Sequence, residues 1–433
     1  MSTSTAPPEA RVITVQSLST LEDYGYVGGR ESLQGFYARA YAPGAPRFLR
    51  SDDGSLAVFR HADVRAMGSM PQLAALAPAV LFPGAFDGPD AAAPAGFAIA
   101  DLIKNQLFTT NAPLNPALRR VLLKQIGPKP AASHAERTRA IAVSILRGLP
   151  SDTPVDLVRD IAEPLTGRYW GSLMDMSDVE AVGAAIQARR MSPMLSLKRS
   201  PESQFAANEA AKAYRVIVEE AGRRAQEKGG CPFVNCMAED LAVIDIQDDP
   251  RYGGLVPKTI GAFLAGNLFD GFHTAALAAA NSLHVLLQHP EALDEVRRDP
   301  TRAAAAVGEA LRIESPVIHL NRIISEDLHY EDTIVPKGTR VLLMWGAANH
   351  DPEAFKDPHI FDLKRSQQGA TTFGGGAHLC PGRFSALVIA RSLLEAVLET
   401  GIEVRPVPGA ERWLDNLAMS QLETFPVVLK PAA

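Results

Sequence analysis

One helical pattern of about thirty residues constrains this chain more than any other feature. The stretch "PKTIGAFLAGNLFDGFHTAALAAANSLHVLLQHPEAL" carries apolar or small side chains almost all around the helix. Before the closing "HPEAL" its only carboxylate is Asp270. A helix without a polar face has to be enclosed by protein on every side. The sequence therefore predicts a large fold with this helix at its centre.

The length and composition of the chain agree with one large unit. Its 433 residues are 46% hydrophobic, which is enough to bury an extensive core. No linker rich in Gly, Ser or Pro divides the sequence, so we expect residues 16–433 to form a single domain. We expect the polar, Pro-rich segment 1–15 to be disordered, and it contains no apolar run typical of a signal peptide or a membrane anchor.

Charge and cysteine content narrow the function classes. A net charge of −6 and an isoelectric point near 6.0 argue against nucleic acid as the main partner. The three cysteines are Cys231, Cys236 and Cys380, and this small odd number indicates a reducing compartment, the cytoplasm. Cys231 and Cys236 have C-x4-C spacing, but no further zinc ligands are grouped near them, so we interpret both as ordinary thiols.

The rest of the sequence predicts a mainly α fold with small β-sheets. The stretches "RFLRSDDG" and "SLAVFRH" predict a hairpin around Asp53 and Gly54, followed by a short helix from His61. The stretch 74–96, rich in Ala, Pro and Gly, predicts a loop. After Pro316 the alternation of apolar residues predicts several short strands.

The stretch "TFGGGAHLCPGRF" is the first candidate for a functional site. It places Gly374, Gly375 and Gly376 shortly before Cys380, at the start of a helical pattern near Pro381. Adjacent glycines cost backbone entropy, which a tight turn or a close approach of the backbone justifies. The N-terminus of a helix stabilises a thiolate. Taken alone, the same residues are also typical of a tight turn with a small buried side chain.

Phe373, Gly376, Cys380 and Gly382 fit the pattern F-x-x-G-x-x-x-C-x-G, and in this loop the chain resembles the cytochrome P450 family. The resemblance runs from about residue 48 to about residue 430. It implies the cytochrome P450 fold, with haem b (iron protoporphyrin IX) between the central helix and the helix that follows Cys380. It also implies that the Cys380 thiolate binds the iron, that Phe373 shields the sulfur, and that the glycines let the loop approach the macrocycle.

Other positions match the family in their order along the chain. Glu309 and Arg312 form E-x-x-R, which in isolation is typical of a solvated ion pair and by the resemblance is a buried structural pair. Arg119, Arg322 and His378 match the family's partners of the haem propionates. Each of these three residues alone can be a surface cation, so it is their joint order that indicates a haem site.

Two positions depart from the family pattern. Asn115 stands where the family often has a histidine near a propionate, and an amide forms hydrogen bonds but carries no charge. Ile360, in "DPHIFD", stands where the family has a third structural arginine. Arg365 or His359 can compensate for it, or the E-x-x-R pair can close its network on backbone carbonyls.

The central helix departs from the family as well. In "DGFHT", Thr274 takes the family's alcohol position and His273 takes the acid's, while Asp270 lies where the family most often has a small residue over the haem. By the resemblance, Thr274 assists the protonation of dioxygen, and His273 and Asp270 are candidates for the proton relay. Asp270 can instead anchor a cationic or hydroxylated substrate, and both relay candidates also have a purely structural interpretation.

The resemblance also implies a substrate pocket. Its expected walls are Phe269, Asp270, Val317, Ile318 and Leu320. The predicted loop 74–96 would form the lid. Because Phe269 is bulky and Ile318 is branched, we expect a compact, mostly apolar ligand with one polar group.

These features together predict a haem-thiolate monooxygenase of secondary metabolism that hydroxylates or otherwise oxidises a small, mostly apolar organic molecule. The chain contains neither a G-x-G-x-x-G fingerprint nor a P-loop, and no flavin or iron–sulfur domain, so its two electrons are expected from a donor of the ferredoxin and ferredoxin-reductase type. The altered acid position keeps a donor-independent haem-thiolate enzyme (a peroxygenase, isomerase or dehydratase) as an alternative. A haem-based sensor or carrier is a third possibility.

Overall fold

A computed structural model describes residues 11–81, 98–195, 200–415 and 418–431 of the protein. The helices in these residues are α1 (Leu33–Ala40), α2 (His61–Gly68), α3 (Pro78–Leu81), α4 (Ala98–Ile103), α5 (Leu114–Ile126), α6 (Pro128–Ser133), α7 (Ala135–Gly148), α8 (Glu163–Leu173), α9 (Asp178–Arg190), α10 (Pro201–Lys228), α11 (Pro232–Ala242), α12 (Ile260–Leu287), α13 (Pro290–Arg298), α14 (Ala303–Ile313), α15 (Trp345–Ala348) and α16 (Arg383–Thr400). The strands are β1 (Arg11–Val12), β2 (Phe48–Arg50), β3 (Leu56–Val58), β4 (Leu73–Ala74), β5 (Pro154–Asp156), β6 (Leu320–Ile324), β7 (Leu328–Tyr330), β8 (Thr333–Val335), β9 (Arg340–Leu343), β10 (Glu403–Pro406), β11 (Arg412–Trp413), β12 (Leu422–Thr424) and β13 (Pro426–Lys430).

Helix α12 is the predicted central helix. It is 28 residues long, and the Thr259 hydroxyl caps it by accepting a hydrogen bond from the Ala262 N–H. It packs against α8, α9, α10, α14 and α16. At the crossing with α10, a Cβ on Gly222 would lie 3.2 Å from the Cα of Gly261, so two glycines let the helices approach closely. The prediction of a mainly α fold around this helix is confirmed.

The sheets are small and lie beside the helical part. The largest has five strands in the order β2-β3-β9-β6-β4. Strands β2 and β3 form the predicted antiparallel hairpin, with Phe48 opposite Val58, and β9 then joins β3 in parallel. Three further sheets have the orders β1-β8-β7, β10-β13-β5 and β11-β12. The short strands predicted after Pro316 are therefore confirmed as β6 to β9.

Two predicted boundaries differ from the structure. The expected loop 74–96 begins inside β4 and contains α3, and residues 82–97 lie outside the described part. Strand β1 lies within segment 1–15, which we expected to be disordered, and pairs in parallel with β8; residues 1–10 are outside the described part. Both elements are only two to four residues long and depend on partners distant in sequence.

The hydrophobic core consists of a large helical cluster around α12 and smaller clusters beside the sheets. Within the described residues, no helix is both long enough and apolar enough to cross a membrane.

Candidate functional site

The middle of α12 is exposed to an interior space. Every residue of this helix from 263 to 286 is buried except five that are partly exposed: Asn267, Phe269, Asp270, Gly271 and Thr274. Asn267, Asp270 and Thr274 are spaced by three and four residues, which places them on one face of the helix. A polar, accessible stripe on an otherwise buried helix indicates that this face borders a cavity.

The cysteine loop is a compact turn that leads into α16. The Cys380 N–H donates to the Phe373 carbonyl at 2.9 Å, and the Leu379 N–H donates to the Gly376 carbonyl at 3.2 Å. Gly376 has φ +63°, and a Cβ there would collide with the backbone of Gly68 at the end of α2. The close approach that Gly376 permits in the structure is therefore to α2, whereas the resemblance implied an approach to the macrocycle.

The electrostatics of Cys380 connect the loop to α12. Burial raises the pKa of the Cys380 thiol to about 11, against the opposing effect of the Gly382 N–H. The charge of Asp270 raises this pKa further, and the cations Arg383 and Arg119 lower it. Of the charged groups that act on the sulfur, Asp270 comes from α12, Arg383 from α16 and Arg119 from α5.

Three basic side chains surround this interior without a counter-charge. Arg322 is 4% exposed, and among the described residues its guanidinium donates to the Asn321 carbonyl alone, at 2.7 Å. Burial lowers the pKa of Arg322 to about 10. Arg119 donates to the Leu379 carbonyl, and its Nε is buried without a partner. Burial and the charges of Arg322 and Arg119 lower the pKa of His378 to about 3.

This arrangement fits a haem. Among the described residues, no acidic side chain forms an ion pair with Arg119, Arg322 or His378, whereas buried cations are normally paired. A ligand that brings two carboxylates beside a cysteine sulfur satisfies these donors. The propionates and the iron of a haem provide this combination.

Asn115 serves a different purpose from the histidine it replaces. Its Nδ2 donates to the Leu107 carbonyl at 2.9 Å and to the Thr110 carbonyl at 3.2 Å, and the residue is 4% exposed. Asn115 therefore braces the segment before α5 and makes no contact with the cations.

The E-x-x-R pair is buried, and Arg365 completes its network. Glu309 and Arg312 are both 0% exposed and are joined by two hydrogen bonds of 2.9 and 2.8 Å. Arg365 Nε donates to Glu309 at 3.0 Å, as does Gln367. Burial raises the pKa of Glu309. Arg312, Gln367 and Arg365 lower it by more, so the pKa stays below its usual value. Of the expected compensators for Ile360, Arg365 is in place, and Arg312 also donates to a backbone carbonyl, that of Asn349, at 2.8 Å.

The three polar residues of "DGFHT" point in different directions. The Thr274 hydroxyl donates to the Asp270 carbonyl at 2.6 Å. The Asp270 carboxylate accepts a hydrogen bond from Gln106 Nε2, and burial raises its pKa to about 7. His273 is 5% exposed, and its Nε2 lies 3.2 Å from Gln421 Oε1. Burial lowers the pKa of His273 to about 4. Only Asp270 shares the helical face of Thr274.

The sequence reasoning missed Gln106. It lies in the connection between α4 and α5, 164 residues before the Asp270 that it contacts. No local pattern distinguishes it from other glutamines, because its role depends on tertiary contact alone.

The expected pocket walls divide into two groups. Phe269, Val317 and Leu320 are partly exposed, which is compatible with lining the interior. Ile318 is 1% exposed and packs in the cluster that contains Tyr26 and Phe36. The prediction that Ile318 lines the pocket is therefore not supported, because this cluster encloses its side chain.

The other two cysteines are separate from this site. Cys231 is buried, with its sulfur 3.1 Å from the Leu173 carbonyl, and Cys236 is exposed. The described residues contain no group of three potential metal-ligating side chains from His, Cys, Asp and Glu.

Comparisons with known proteins agree with this geometry. The family model for cytochrome P450 matches residues 191–401. Cytochrome P450 107B1 of Saccharopolyspora erythraea is 28% identical over 324 residues, which cover 74% of this chain and 76% of that protein. The 6-deoxyerythronolide B hydroxylase of the same organism is 27% identical over 341 residues, covering 76% of this chain and 80% of that protein. The solved structure of CalO2 has a TM-score of 0.76 at 22% identity and covers 92% of this chain and 96% of that one.

The chain belongs to the cytochrome P450 family. It is a haem-thiolate monooxygenase, which uses dioxygen and a small-molecule substrate. In this cytochrome P450, Arg119 and Arg322 lie near the cysteine loop that carries His378 and Cys380, and among the described residues they have no acidic partner.

Proposed function

We propose that this cytochrome P450 hydroxylates or otherwise oxidises a small, mostly apolar organic molecule, using two electrons from a ferredoxin-type donor. The unpaired cluster of Arg119, Arg322 and His378 around the Cys380 loop carries the proposal. Relatives named as a 6-deoxyerythronolide B hydroxylase and a C-19 steroid 1alpha-hydroxylase support hydroxylation. The same proposal includes a role in secondary metabolism and a cytoplasmic location. It also treats residues 16–433 as a single domain.

The site residues divide the binding of haem b among them. Cys380 supplies the thiolate ligand, and Phe373 lies beside it, joined through its carbonyl to the Cys380 N–H. Arg119, Arg322 and His378 hold the propionates. Bound haem supplies the activation of dioxygen. A Cβ at Gly382 would lie 3.9 Å from the sulfur, in van der Waals contact with it, so a glycine at this position leaves that side of the sulfur uncovered.

Thr274 is the group proposed to assist proton delivery. Its hydroxyl lies on the accessible face of α12 and donates to the carbonyl one turn earlier, so it can exchange that partner for a ligand atom. Asp270, on the same face, is the better placed of the two relay candidates. His273 faces Gln421, and at neutral pH it is an uncharged side chain within the core.

The test of the cofactor assignment is spectroscopic. The haem-loaded protein, reduced under carbon monoxide, should show the strongly red-shifted Soret band of a thiolate-ligated haem, and Cys380→His should abolish it. A thiolate band that persists in Cys380→His would refute the assignment of the ligand. Cys236→Ser, an exposed cysteine, is the matched control and should retain the band.

The test of the reaction is electron coupling. With a ferredoxin, its reductase and NADPH, wild type should convert substrate, and Thr274→Ala should bind it equally but release hydrogen peroxide instead of product. A side chain that serves a proton transfer contributes roughly 10²–10⁴-fold in rate. Turnover with peroxide but none with any electron donor would instead support the donor-independent alternative.

A further inference from the structure

The Asp270 carboxylate, on the partly exposed face of α12, has no counter-charge among the described residues. Gln106 Nε2 donates to its Oδ2, and among the described residues no Lys, Arg or His forms an ion pair with it. Burial raises the pKa of Asp270, and no nearby cation lowers it. A carboxylate in such surroundings destabilises the fold unless a ligand compensates it.

Gln106 holds this carboxylate in a fixed orientation. Its segment is attached to α12 because the Leu107 N–H donates to Asn267 Oδ1 at 2.9 Å and Asn267 Nδ2 donates to the Asn105 carbonyl at 3.1 Å. Gln106 is 3% exposed, and with Nε2 on Asp270 its Oε1 is buried without a partner. An unsatisfied buried acceptor lowers the free energy of unfolding. Positioning the carboxylate in this way therefore reduces the stability of the fold.

Further polar atoms without partners lie near Asp270. Among the described residues, the Tyr214 hydroxyl and the Trp170 Nε1 are both buried and have no hydrogen-bond partner. Burial and then the charge of Asp270 raise the pKa of Tyr214, and a Cβ on Gly271 would lie 3.3 Å from the Trp170 nitrogen. The neighbouring Phe269 is apolar and partly exposed. The surroundings of Asp270 are thus largely aromatic, and among the described residues neither Arg119 nor Arg322 forms an ion pair with it.

We infer that Asp270, positioned by Gln106, anchors a protonated amine of the substrate, an inference that rests on the proposed function. An ammonium group supplies both the hydrogen bond and the charge that the carboxylate lacks, whereas a hydroxyl supplies the hydrogen bond alone. Thr274 lies one helical turn away on the same face, so an anchored amine holds the rest of the molecule beside it. The substrate class is a compact, mostly apolar molecule with one basic nitrogen.

The experiment compares ligands of equal shape and different charge on the haem-loaded protein. N,N-dimethylcyclohexylamine, protonated at pH 8, and isopropylcyclohexane differ only in the charged nitrogen, and Soret difference titration gives both dissociation constants. The ammonium should bind about tenfold more tightly or better. Cyclohexyltrimethylammonium cannot ligate iron, and it should likewise bind more tightly than its uncharged counterpart, tert-butylcyclohexane.

Variants assign the preference to the residues. Asp270→Asn and Asp270→Ser should each remove the preference for the ammonium while leaving the affinity for isopropylcyclohexane within about twofold of wild type. Gln106→Met should reduce the preference without abolishing it. Asp101→Asn is the matched control, because Asp101 is a carboxylate on α4 that pairs with Lys104 and Arg215, and it should keep the full preference.

Equal affinity of wild type for both ligands would overturn the inference, as would an ammonium preference that survives in both Asp270 variants. The carbon monoxide band of the same samples separates this result from a failure of the proposed function. A normal thiolate band without an ammonium preference refutes the anchoring role alone. Absence of the band in wild type would refute the haem assignment beneath it.

Discussion

Two clusters of basic side chains in this cytochrome P450 differ in how their charges are balanced. Arg312 and Arg365 share Glu309, and every contact there is made by the protein itself. Arg119 and Arg322 flank His378 without an acidic partner among the described residues. The first cluster is complete as folded, so its role is structural. The second is incomplete, so its stability depends on a bound anion. The balance of charge thus separates residues that hold the fold from residues that hold a ligand.

The largest effect should come from breaking the complete cluster. Arg312→Ala leaves Glu309 as a buried charge without its main partner, and the free energy of unfolding should fall by about 3–5 kcal/mol. Urea unfolding measures this loss. Arg223→Ala removes an exposed arginine that pairs with Glu227, and it should cost less than about 1 kcal/mol. Equal losses in the two variants would show that the buried pair behaves as a surface pair.

A substitution in the incomplete cluster should weaken haem binding more than it lowers the stability of the fold. Arg322→Met removes a buried cation that has no acidic partner, so the chain should fold as well as wild type but hold haem more weakly, by about 2–5 kcal/mol. Haem transfer to a scavenging protein measures the affinity, and urea unfolding of the haem-free chains measures the fold. Arg340→Met, an exposed arginine in strand β9, should change neither. If Arg322→Met unfolds the protein as severely as Arg312→Ala, the two clusters do not differ in kind.

His273 offers a third case, a buried group with a partner of its own. Its pKa is about 4 in the folded protein, below the ordinary value of 6.5. The unfolded chain therefore binds the proton first as the pH falls below 6.5, and folding stability is lost between pH 6.5 and 4, by up to about 3 kcal/mol. His273→Gln should remove this part of the acid sensitivity and leave electron coupling intact. Uncoupled turnover with unchanged acid sensitivity would instead assign His273 to the proton route.

The smallest effect tests how the complete cluster compensates for Ile360. Arg365→Ala should cost about 1.5–3 kcal/mol, because it removes a charge-assisted hydrogen bond to Glu309. Ile360→Arg, added to Arg365→Ala, should restore part of this loss if a guanidinium can approach from the family's usual position. Thermal unfolding of the single and double variants decides it. If the double variant is no more stable than Arg365→Ala, an arginine at position 360 cannot replace the contact that Arg365 makes with Glu309.

Patterns contained within one element were predictable. The central helix follows from apolar residues around a 28-residue segment, and the E-x-x-R pair follows from its spacing on one turn of α14. The cysteine loop was recognisable because its four motif residues lie within ten positions of one another. The stretch that begins "SDTPVDLVRD" predicts a helix, yet Pro154–Asp156 is a strand because β13, far along the chain, provides the pairing partner.

The sequence by itself determined that a buried helix carries Asp270 and Thr274 and that a cysteine loop follows much later in the chain. Tertiary structure alone decided which partner each polar group meets. His273 lies in hydrogen-bond contact with Gln421, Asp270 accepts a hydrogen bond from Gln106, and Glu309 accepts one from Arg365. The physical reason is that helical periodicity assigns a residue to a face, whereas its charge state and hydrogen bonds depend on the segments that the fold packs against that face.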